Sequence, residues 1–153
     1  MTYIGQYALP ETLDYLRQPK TRLRYRHEFC IKLEGPQFAR LNNPIVVIRW
    51  KHLLWFVKGE KPQMPLDGNS IHDLIESNRP DKSLNRFTQS TVEAEYIISK
   101  LTIEGMQILD PFLGGGTTAN AVNLNRRFIG IDISAEIVVS VRANLIKQYC
   151  LKL

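Results

Sequence analysis

The spacing of apolar and polar residues predicts two strands early in this chain. Residues 22–33 alternate charged and apolar side chains, the period of two that is typical of a strand buried on one face. The β-branched and aromatic run at residues 45–58 predicts one long strand, or two short ones, pairing back on the first. We expect Glu34-Gly35-Pro36 to end the first strand, and Asn42-Asn43-Pro44 is a turn signal before the second.

Helical spacing occurs in three places. Residues 9–16 carry leucines on one side, with a proline placed for the first turn. Residues 91–101 follow Ser90, which we expect to be the N-cap, with Glu93 completing a capping box. Residues 135–151 carry apolar side chains at four-residue intervals, so they predict a helix that lies on a sheet. The apolar side of the second helix is expected to comprise Val92, Tyr96 (or Ile97) and Leu101.

Residues 106–134 predict a strand, a glycine turn, a helix and a second strand. The apolar run at residues 107–109 stops at Asp110-Pro111, because proline cannot donate to a sheet ladder. Gly114, Gly115 and Gly116 then give three positions without a Cβ, where the backbone can turn and a ligand can approach it. We expect a helix at residues 117–124 as a right-handed crossover and a parallel second strand that ends at Asp132, 22 residues after Asp110.

The residues of this turn discriminate between classes of ligand. Gly114, Gly116 and Ala119 satisfy the dinucleotide pattern G-x-G-x-x-G/A, which alone is a weak signal. Asp110 argues against a dinucleotide, since its carboxylate would face the pyrophosphate at the helix N-terminus. The same carboxylate suits a ligand that is cationic near the turn, such as the amino and sulfonium groups of S-adenosylmethionine. A P-loop is excluded because no Lys-Ser/Thr follows the last glycine.

Length and composition predict one compact domain over residues 1–153. The chain is 44% hydrophobic, and its longest apolar run, residues 53–57, is far too short to span a membrane. Cys30 and Cys150 are far apart and the three histidines show no ligand spacing, so we expect neither a disulfide framework nor a metal site. A reducing cytoplasm fits this cysteine usage.

Positive charge is concentrated near the N-terminus. The chain has a formal net charge of +5, and residues 17–40 contain seven basic residues against two acidic ones. Such a segment is the expected footprint of a nucleic-acid phosphate backbone, although basic runs are also common on solvated strand or helix faces. Both readings stay open at this point.

The glycine turn resembles a known family motif. Residues 110–118, Asp-Pro-Phe-Leu-Gly-Gly-Gly-Thr-Thr, with Arg127 to Asp132 after them, resemble the methyl-donor motif of S-adenosylmethionine-dependent DNA amino-methyltransferases, which modify the exocyclic nitrogen of adenine or cytosine. The family usually has serine where Gly115 stands. The resemblance implies these cofactor-binding residues: Asp110, Pro111, Phe112, Gly114, Gly116, Thr117, Thr118, Asp132, Phe87, Gln89 and Ser90.

The resemblance extends over nearly the whole chain. Residues 5–16 resemble the helix after the family's catalytic loop, residues 49–59 its paired late strands, and residues 87–90 the segment that closes over the methionine part of the cofactor. This order resembles the circularly permuted subgroup, with the donor motif at the C-terminal end. The implied fold is α/β, a Rossmann-like three-layer methyltransferase sheet, mostly parallel, with an antiparallel late-strand pair in the same sheet. Residues 59–84, a predicted loop rich in proline and glycine, occupy the place of a reduced target-recognition region.

One family element is missing. The family catalyses with Asp/Asn/Ser-Pro-Pro-Tyr/Phe, and this chain contains no Pro-Pro, so it offers no catalytic residue by this resemblance. That loop accepts the hydrogens of a poorly nucleophilic amino group and stacks on a flipped base. We therefore expect the N-terminal part of the domain to be missing, so that the chain is a truncated frame, a degenerate copy or half of a split enzyme.

Two classes of function remain. The first is DNA methylation, as in restriction-modification systems, with double-stranded DNA and a separate chain carrying the catalytic loop as partners. The second is a non-catalytic module that binds S-adenosylmethionine or nucleic acid. The sequence leaves adenine and cytosine both open as targets.

Overall fold

The computed structural model describes residues 1–38, 47–59, 70–78, 90–119 and 124–150. The chain forms two compact units, Met1–Asn78 and Arg79–Leu153, and each is described by itself. The sequence prediction of a single domain stays a prediction. The turn at Asn42-Asn43-Pro44 lies outside the described residues.

The first unit is built on a four-stranded sheet. Its elements are β1 (Thr2–Ile4), α1 (Leu9–Leu16), β2 (Leu23–Phe38), β3 (Val47–Lys58) and β4 (Leu74–Glu76). The strand order is β1-β3-β2-β4, in which β3 pairs antiparallel with both β1 and β2, and β4 pairs parallel with β2. The predicted helix at residues 9–16 and the predicted antiparallel strand pair are both confirmed.

Strand β2 does not end where the sequence predicted. It runs through Gly35 to Phe38, with a register shift against β3 between Lys32 and Gln37. Gly35 has a φ of +83°, a conformation that glycine adopts without steric cost, so the chain bulges there and then continues as a strand. The predicted stop at Glu34-Gly35-Pro36 is therefore wrong, because these residues make an irregularity inside the ladder.

Strand β4 was missed, because it lies within residues 59–84, which the sequence predicted as a loop. Its ends are tied to β2 by two backbone hydrogen bonds, Cys30 N–H to Asp73 O at 2.7 Å and Ser77 N–H to Lys32 O at 2.9 Å. The Lys32 ammonium also lies 2.5 Å from a Glu76 carboxylate oxygen. A strand of three residues shows no periodicity of its own, so its pairing with β2 defines it.

The core of the first unit lies at its two central strands. Phe29 and Ile31 of β2 are buried at alternate positions, as a strand with one covered face requires. Leu53 and Leu54 of β3 are both buried although they point to opposite faces, so β3 is covered on both sides.

The second unit contains α2 (Thr91–Leu101), β5 (Gln107–Asp110), β6 (Arg127–Gly130) and α3 (Ala135–Cys150). Strands β5 and β6 pair in parallel, as predicted, from Gln107 opposite Arg127 to Asp110 opposite Gly130. Helix α3 packs its predicted apolar side around Val141, which lies in a cluster with Leu113 and Ala119. The predicted helix at residues 117–124 is described only at its ends, because residues 120–123 lie outside the described part.

Helix α2 differs from its predicted packing. Ser90 is at the N-cap position, but its side chain makes no capping hydrogen bond, so the predicted capping box is wrong. The buried side chains are Glu93, Ile97 and Ile98, whereas Val92 is exposed. Glu93 is 1% exposed, so it lies on the packed side of the helix.

The prediction of one sheet carrying both strand pairs is wrong. In the described residues the antiparallel pair belongs to the four-stranded sheet, and β5 with β6 forms a separate two-stranded sheet. β1 pairs only with β3, and β5 only with β6, so each sheet has an edge that pairs with no described strand. Two ladders can merge only when a strand pairs with both, and no described strand does so.

Burial predicts how the first unit responds to truncation. Leu54 is 0% exposed, so Leu54→Ala should lower the free energy of unfolding of this unit by about 2–5 kcal/mol. Leu74→Ala, at a position 55% exposed on the same sheet, is the matched control and should cost much less. Both tryptophans of the chain lie in β3, so tryptophan fluorescence during urea denaturation follows this unit alone. Equal losses in the two variants would contradict the described core.

Candidate functional site

The site begins where β5 ends. The Phe112 N–H donates to Asp110 Oδ1 at 3.0 Å, closing a turn around Pro111 in which the aspartate side chain replaces a backbone acceptor. Asp110 O accepts from Ile131 N–H at 2.8 Å, and the Leu113 N–H donates to Ile131 O at 2.8 Å. The chain after β5 is therefore held against the residues that follow β6.

Two glycines of the turn have different surroundings. Gly116 has a φ of +77°, and a Cβ added there would lie 2.7 Å from Val141 Cγ1 of α3. The space beside Gly116 is thus filled by protein, which differs from the expectation that all the glycines leave room for a ligand. Gly114 also has a positive φ, +49°, but a Cβ there would meet only Phe112 O at 3.7 Å. The open backbone of the turn is therefore at Gly114.

Asp132 fastens the glycine turn to the segment after β6. Its Oδ2 accepts a hydrogen bond from Gly114 N–H at 2.9 Å, and its Oδ1 accepts one from Ser134 N–H at 2.9 Å. The Ser134 N–H, and next the Gly114 N–H, hold the pKa of the Asp132 carboxyl below its ordinary value. Each carboxylate oxygen has a second lone pair, so the group can also accept from a ligand hydroxyl.

The charge of the site is negative. Asp110 and Asp132 are its ionisable residues, and residues 106–119 and 128–134 contain no Lys, Arg or His. Asp110 accepts a hydrogen bond from the Phe112 N–H, and Asp132 accepts one from the Gly114 N–H. The two carboxylates thus bind the same turn at positions two residues apart. Such a turn disfavours a phosphate or pyrophosphate and favours a ligand with positive charge and hydroxyl groups. These residues therefore fit the chemistry of S-adenosylmethionine.

An exposed aromatic ring borders the turn. Phe112 is 86% exposed, although the next residue, Leu113, is buried in the cluster beneath α3. The exposed ring belongs to the same turn as Gly114, two residues later, whose backbone is open. The arrangement can thus bind a ligand that combines a charged part with an apolar, flat part.

The structure brings together most of the predicted site residues. Asp132 joins the turn through Gly114, and the others lie on one continuous segment. Ser90 is buried at the start of α2, and no hydrogen bond between it and the turn is present in the described residues. Phe87 and Gln89 lie outside the described residues. The contiguous segment contains Asp110, Pro111, Phe112, Gly114, Gly116, Thr117 and Thr118.

Two supporting residues were missed by the sequence reasoning. Ser134 Oγ accepts from Ile137 N–H at 3.4 Å, so Ser134 caps α3, and its own N–H binds Asp132. A serine three residues before the first apolar position of a helix is a signal that could have identified it. Arg126 joins the end of α2 to the start of β6, with Nη2 2.6 Å from Thr102 O and Nε 3.0 Å from Thr102 Oγ1. No sequence pattern indicated this second residue.

The described part of the chain contains no cluster of three or more His, Cys, Asp or Glu side chains that could hold a metal ion. No helix in the same residues is long and apolar enough to cross a membrane.

Sequence comparison relates the chain to DNA methylases. The profile of the family described as DNA methylase, N6_N4_Mtase, matches residues 16–142. The chain is also similar to the type II methyltransferase M2.DpnII of Streptococcus pneumoniae, with 45% identity over 60 residues. That match covers 36% of this chain, and the chain spans only 22% of the length of this curated relative.

Structural comparison gives the same relationship. The crystal structure of an M1.HpyAVI-SAM complex matches with a TM-score of 0.69 and 25% identity, covering 94% of this chain and 72% of that chain. A second structure of M1.HpyAVI matches with a TM-score of 0.72 and 23% identity, over 94% and 70% of the two chains. This likeness confirms the predicted α/β, Rossmann-like fold class.

The packing at Gly116 predicts a specific loss of stability. Gly116→Ala should lower the free energy of unfolding by about 1–3 kcal/mol for the positive φ and about 1–3 kcal/mol more for the overlap with Val141. Gly114→Ala is the matched control, since it incurs the first cost without the second. Adding Val141→Ala should recover the overlap cost in the Gly116 variant, as thermal denaturation by circular dichroism would show. Strictly additive effects of the two substitutions would contradict the contact.

The hydrogen bonds of Asp132 predict a pH dependence. Because its pKa is lowered by folding, the stabilisation is complete above the unfolded value of about 3.9 and is lost as pH falls through the lower folded value. The amide resonances of Gly114 and Ser134 should therefore stay constant down to about pH 4 and then move together. The Leu113 amide, which donates to a carbonyl, is the internal control. Independent titration of the two amides would contradict a shared carboxylate.

Proposed function

This chain belongs to the DNA methylase family, and we propose that it is the donor-binding part of an enzyme that methylates DNA. The methyl group would come from S-adenosylmethionine and pass to the exocyclic amino group of adenine or cytosine. One observation carries the proposal. The hydrogen bond from Gly114 N–H to Asp132 joins the acidic glycine turn, which disfavours phosphate, to the segment after β6. A turn with two carboxylates and no basic side chain suits a cationic ligand.

The residues of the turn have separable roles in this proposal. Asp132 would accept the ribose hydroxyls with the lone pairs that its backbone donors leave unused. Asp110 would place negative charge near the cationic methionine part of the cofactor. The open backbone at Gly114 and the ring of Phe112 would line the same ligand. The resemblance to the family adds Pro111, Gly116, Thr117, Thr118, Phe87, Gln89 and Ser90.

Catalysis needs a further element. When bound, the cofactor supplies an electrophilic methyl group on sulfur, and the amino nitrogen that receives it must lose a proton. The 153 residues contain no Pro-Pro motif to accept that amino group's hydrogens, so we propose that the catalytic loop lies outside them. The loop would belong to a longer form of this protein or to a separate chain.

The substrate is proposed to be double-stranded DNA. By the family resemblance, the segment at residues 59–84 would take the place of a reduced target-recognition region. Strand β4 within it pairs with β2. Adenine and cytosine both remain candidates for the methylated base. The cytoplasmic location expected from the two separated cysteines also stays a prediction.

A second candidate function has its own support. The missing Pro-Pro motif favours a non-catalytic module that binds S-adenosylmethionine or nucleic acid. Cofactor binding is common to both candidates, so only methyl transfer separates them.

The cofactor site predicts the effect of removing Asp132. Asp132→Ala should weaken S-adenosylmethionine binding by about 10- to 100-fold in calorimetric titration, because charge-assisted hydrogen bonds are lost. Asp132→Asn retains an acceptor oxygen for one of the two backbone donors and should lose less. Asp14→Ala, at an exposed position of the first unit, is the control and should bind as the wild type does. Unchanged affinity in Asp132→Ala, or a preference for NAD, would overturn the assignment.

The missing loop predicts a conditional activity. The chain alone should not transfer labelled methyl from the cofactor to mixed-sequence DNA, since positioning and electrostatic stabilisation at the amino group are absent. Adding a family fragment that carries the Pro-Pro loop should produce turnover if this chain is the donor-binding half. Robust turnover by the chain alone would refute the proposed division. Cofactor binding without turnover under either condition would favour the non-catalytic module.

A further inference from the structure

A cleft in the first unit concentrates positive charge outside the cofactor site. It has a volume of about 550 Å³ and lies between the segment that follows α1 and the end of β3. Three arginines and one lysine line it, and none of its described lining residues is acidic. The cations are Arg17, Arg22, Arg24 and Lys58.

The segment after α1 is held in a fixed conformation by Thr21. Its hydroxyl lies 2.7 Å from Leu16 O and 2.8 Å from Gln18 O, and it also accepts from Leu23 N–H at 3.1 Å. One side chain thus joins the end of α1, the short helical turn Pro19–Thr21 and the start of β2. Arg17 and Arg22 therefore extend from an ordered backbone.

Two long-range contacts bring the end of β3 to this segment. The Arg24 guanidinium donates to Gly59 O, and Lys58 lies opposite Leu23 in the antiparallel ladder. These contacts place Lys58 in the same cleft as Arg17, although the two residues are 41 positions apart in sequence. Arg22 has a φ of +55°, so its backbone is in the left-handed region at the point where the segment enters β2.

The charges of the cleft are not neutralised by carboxylates. No ion pair in the described residues involves Arg17, Arg22 or Lys58, and the same holds for Arg24. Other cations of the same basic segment are engaged. Lys32 pairs with Glu76, and the Lys20 ammonium lies 4.7 Å from the centre of the Tyr15 ring. Among the described residues, positive charge without a carboxylate partner is thus concentrated in the cleft.

We propose that this cleft binds the phosphate backbone of duplex DNA. The inference rests on the proposed function, in which DNA is the substrate, and it assigns a contact surface to four named residues. Guanidinium and ammonium groups around an open concave surface match phosphate oxygens, and release of counterions supplies the free energy of binding. Contacts to phosphate oxygens position DNA without carrying sequence information directly, so we expect binding at this cleft to be independent of sequence.

Salt dependence of DNA binding tests the proposal. The experiment compares wild type with Arg17→Gln/Arg22→Asn/Lys58→Gln by fluorescence anisotropy on a labelled duplex between about 50 and 200 mM salt. Asparagine tolerates the left-handed backbone at position 22, and Arg24 is retained because it holds Gly59. The variant should bind about 10- to 100-fold more weakly at low salt, with a log–log salt slope shallower by about 2–3.

Two control variants test whether the loss of DNA binding comes from the cleft itself. One tests the effect of net charge, and the other tests the effect of substituting the cleft residues while their charges are kept. Arg49→Gln/Arg142→Gln/Lys147→Gln removes the same charge from exposed positions elsewhere and should change the slope by less than about one. Arg17→Lys/Arg22→Lys/Lys58→Arg keeps every charge and should bind like the wild type. Equal losses in the two neutralised variants, or loss in the charge-preserving one, would overturn the proposal. The losses should be the same on two duplexes of unrelated sequence, and a sequence-dependent loss would also overturn it.

The outcomes remain distinct from those of the cofactor site. The cleft variant should bind S-adenosylmethionine as the wild type does, because its substitutions lie in the other unit. Failure of the wild-type chain to bind the cofactor would overturn the proposed function. The difference in salt slope between wild type and the cleft variant decides whether the cleft binds DNA. Single-stranded RNA that competes as well as duplex DNA would overturn the assignment to DNA.

Discussion

The second unit depends on one arrangement of backbone donors around a carboxylate. Asp132 accepts from Gly114 N–H and Ser134 N–H, so it fixes the glycine turn, the end of β6 and the start of α3 relative to one another. Close packing completes the constraint, because Val141 of α3 occupies the space beside Gly116. A turn so constrained is formed before any ligand arrives, which would lower the entropic cost of binding the proposed donor.

The first unit is also fixed by a long-range hydrogen bond, here from an arginine side chain. Its most buried strand, β3, lies between β1 and β2, and Arg24 at the start of β2 donates to Gly59 O just after β3. That fastening places Lys58 beside two arginines that are distant in sequence, so the fold gathers charge that the chain distributes. Each unit thus offers a surface of opposite charge, acidic at the donor turn and basic at the cleft.

These surfaces suit the two substrates of a methylase. A cationic donor is favoured by the carboxylates of Asp110 and Asp132, while a polyanion is favoured by the cleft. In the proposed division, this chain binds the donor and the DNA, and the proposed catalytic loop would accept the hydrogens of the base amino group.

Local sequence determined the features that depend on near neighbours. Helices α1 and α3 followed from their spacing, and the end of β5 followed from Pro111, which lacks a backbone donor. The donor turn and its acidic residues were likewise evident in residues 110–132, so most of the candidate site was predicted from sequence.

Tertiary structure decided what depends on distant partners. It made β4 a strand through its pairing with β2, carried β2 past Gly35, and placed the two strand pairs in separate sheets. It also directed one oxygen of Asp132 to the Gly114 N–H, 18 residues away in sequence. These outcomes follow from hydrogen bonds and contacts between residues far apart in the chain, which no local periodicity encodes.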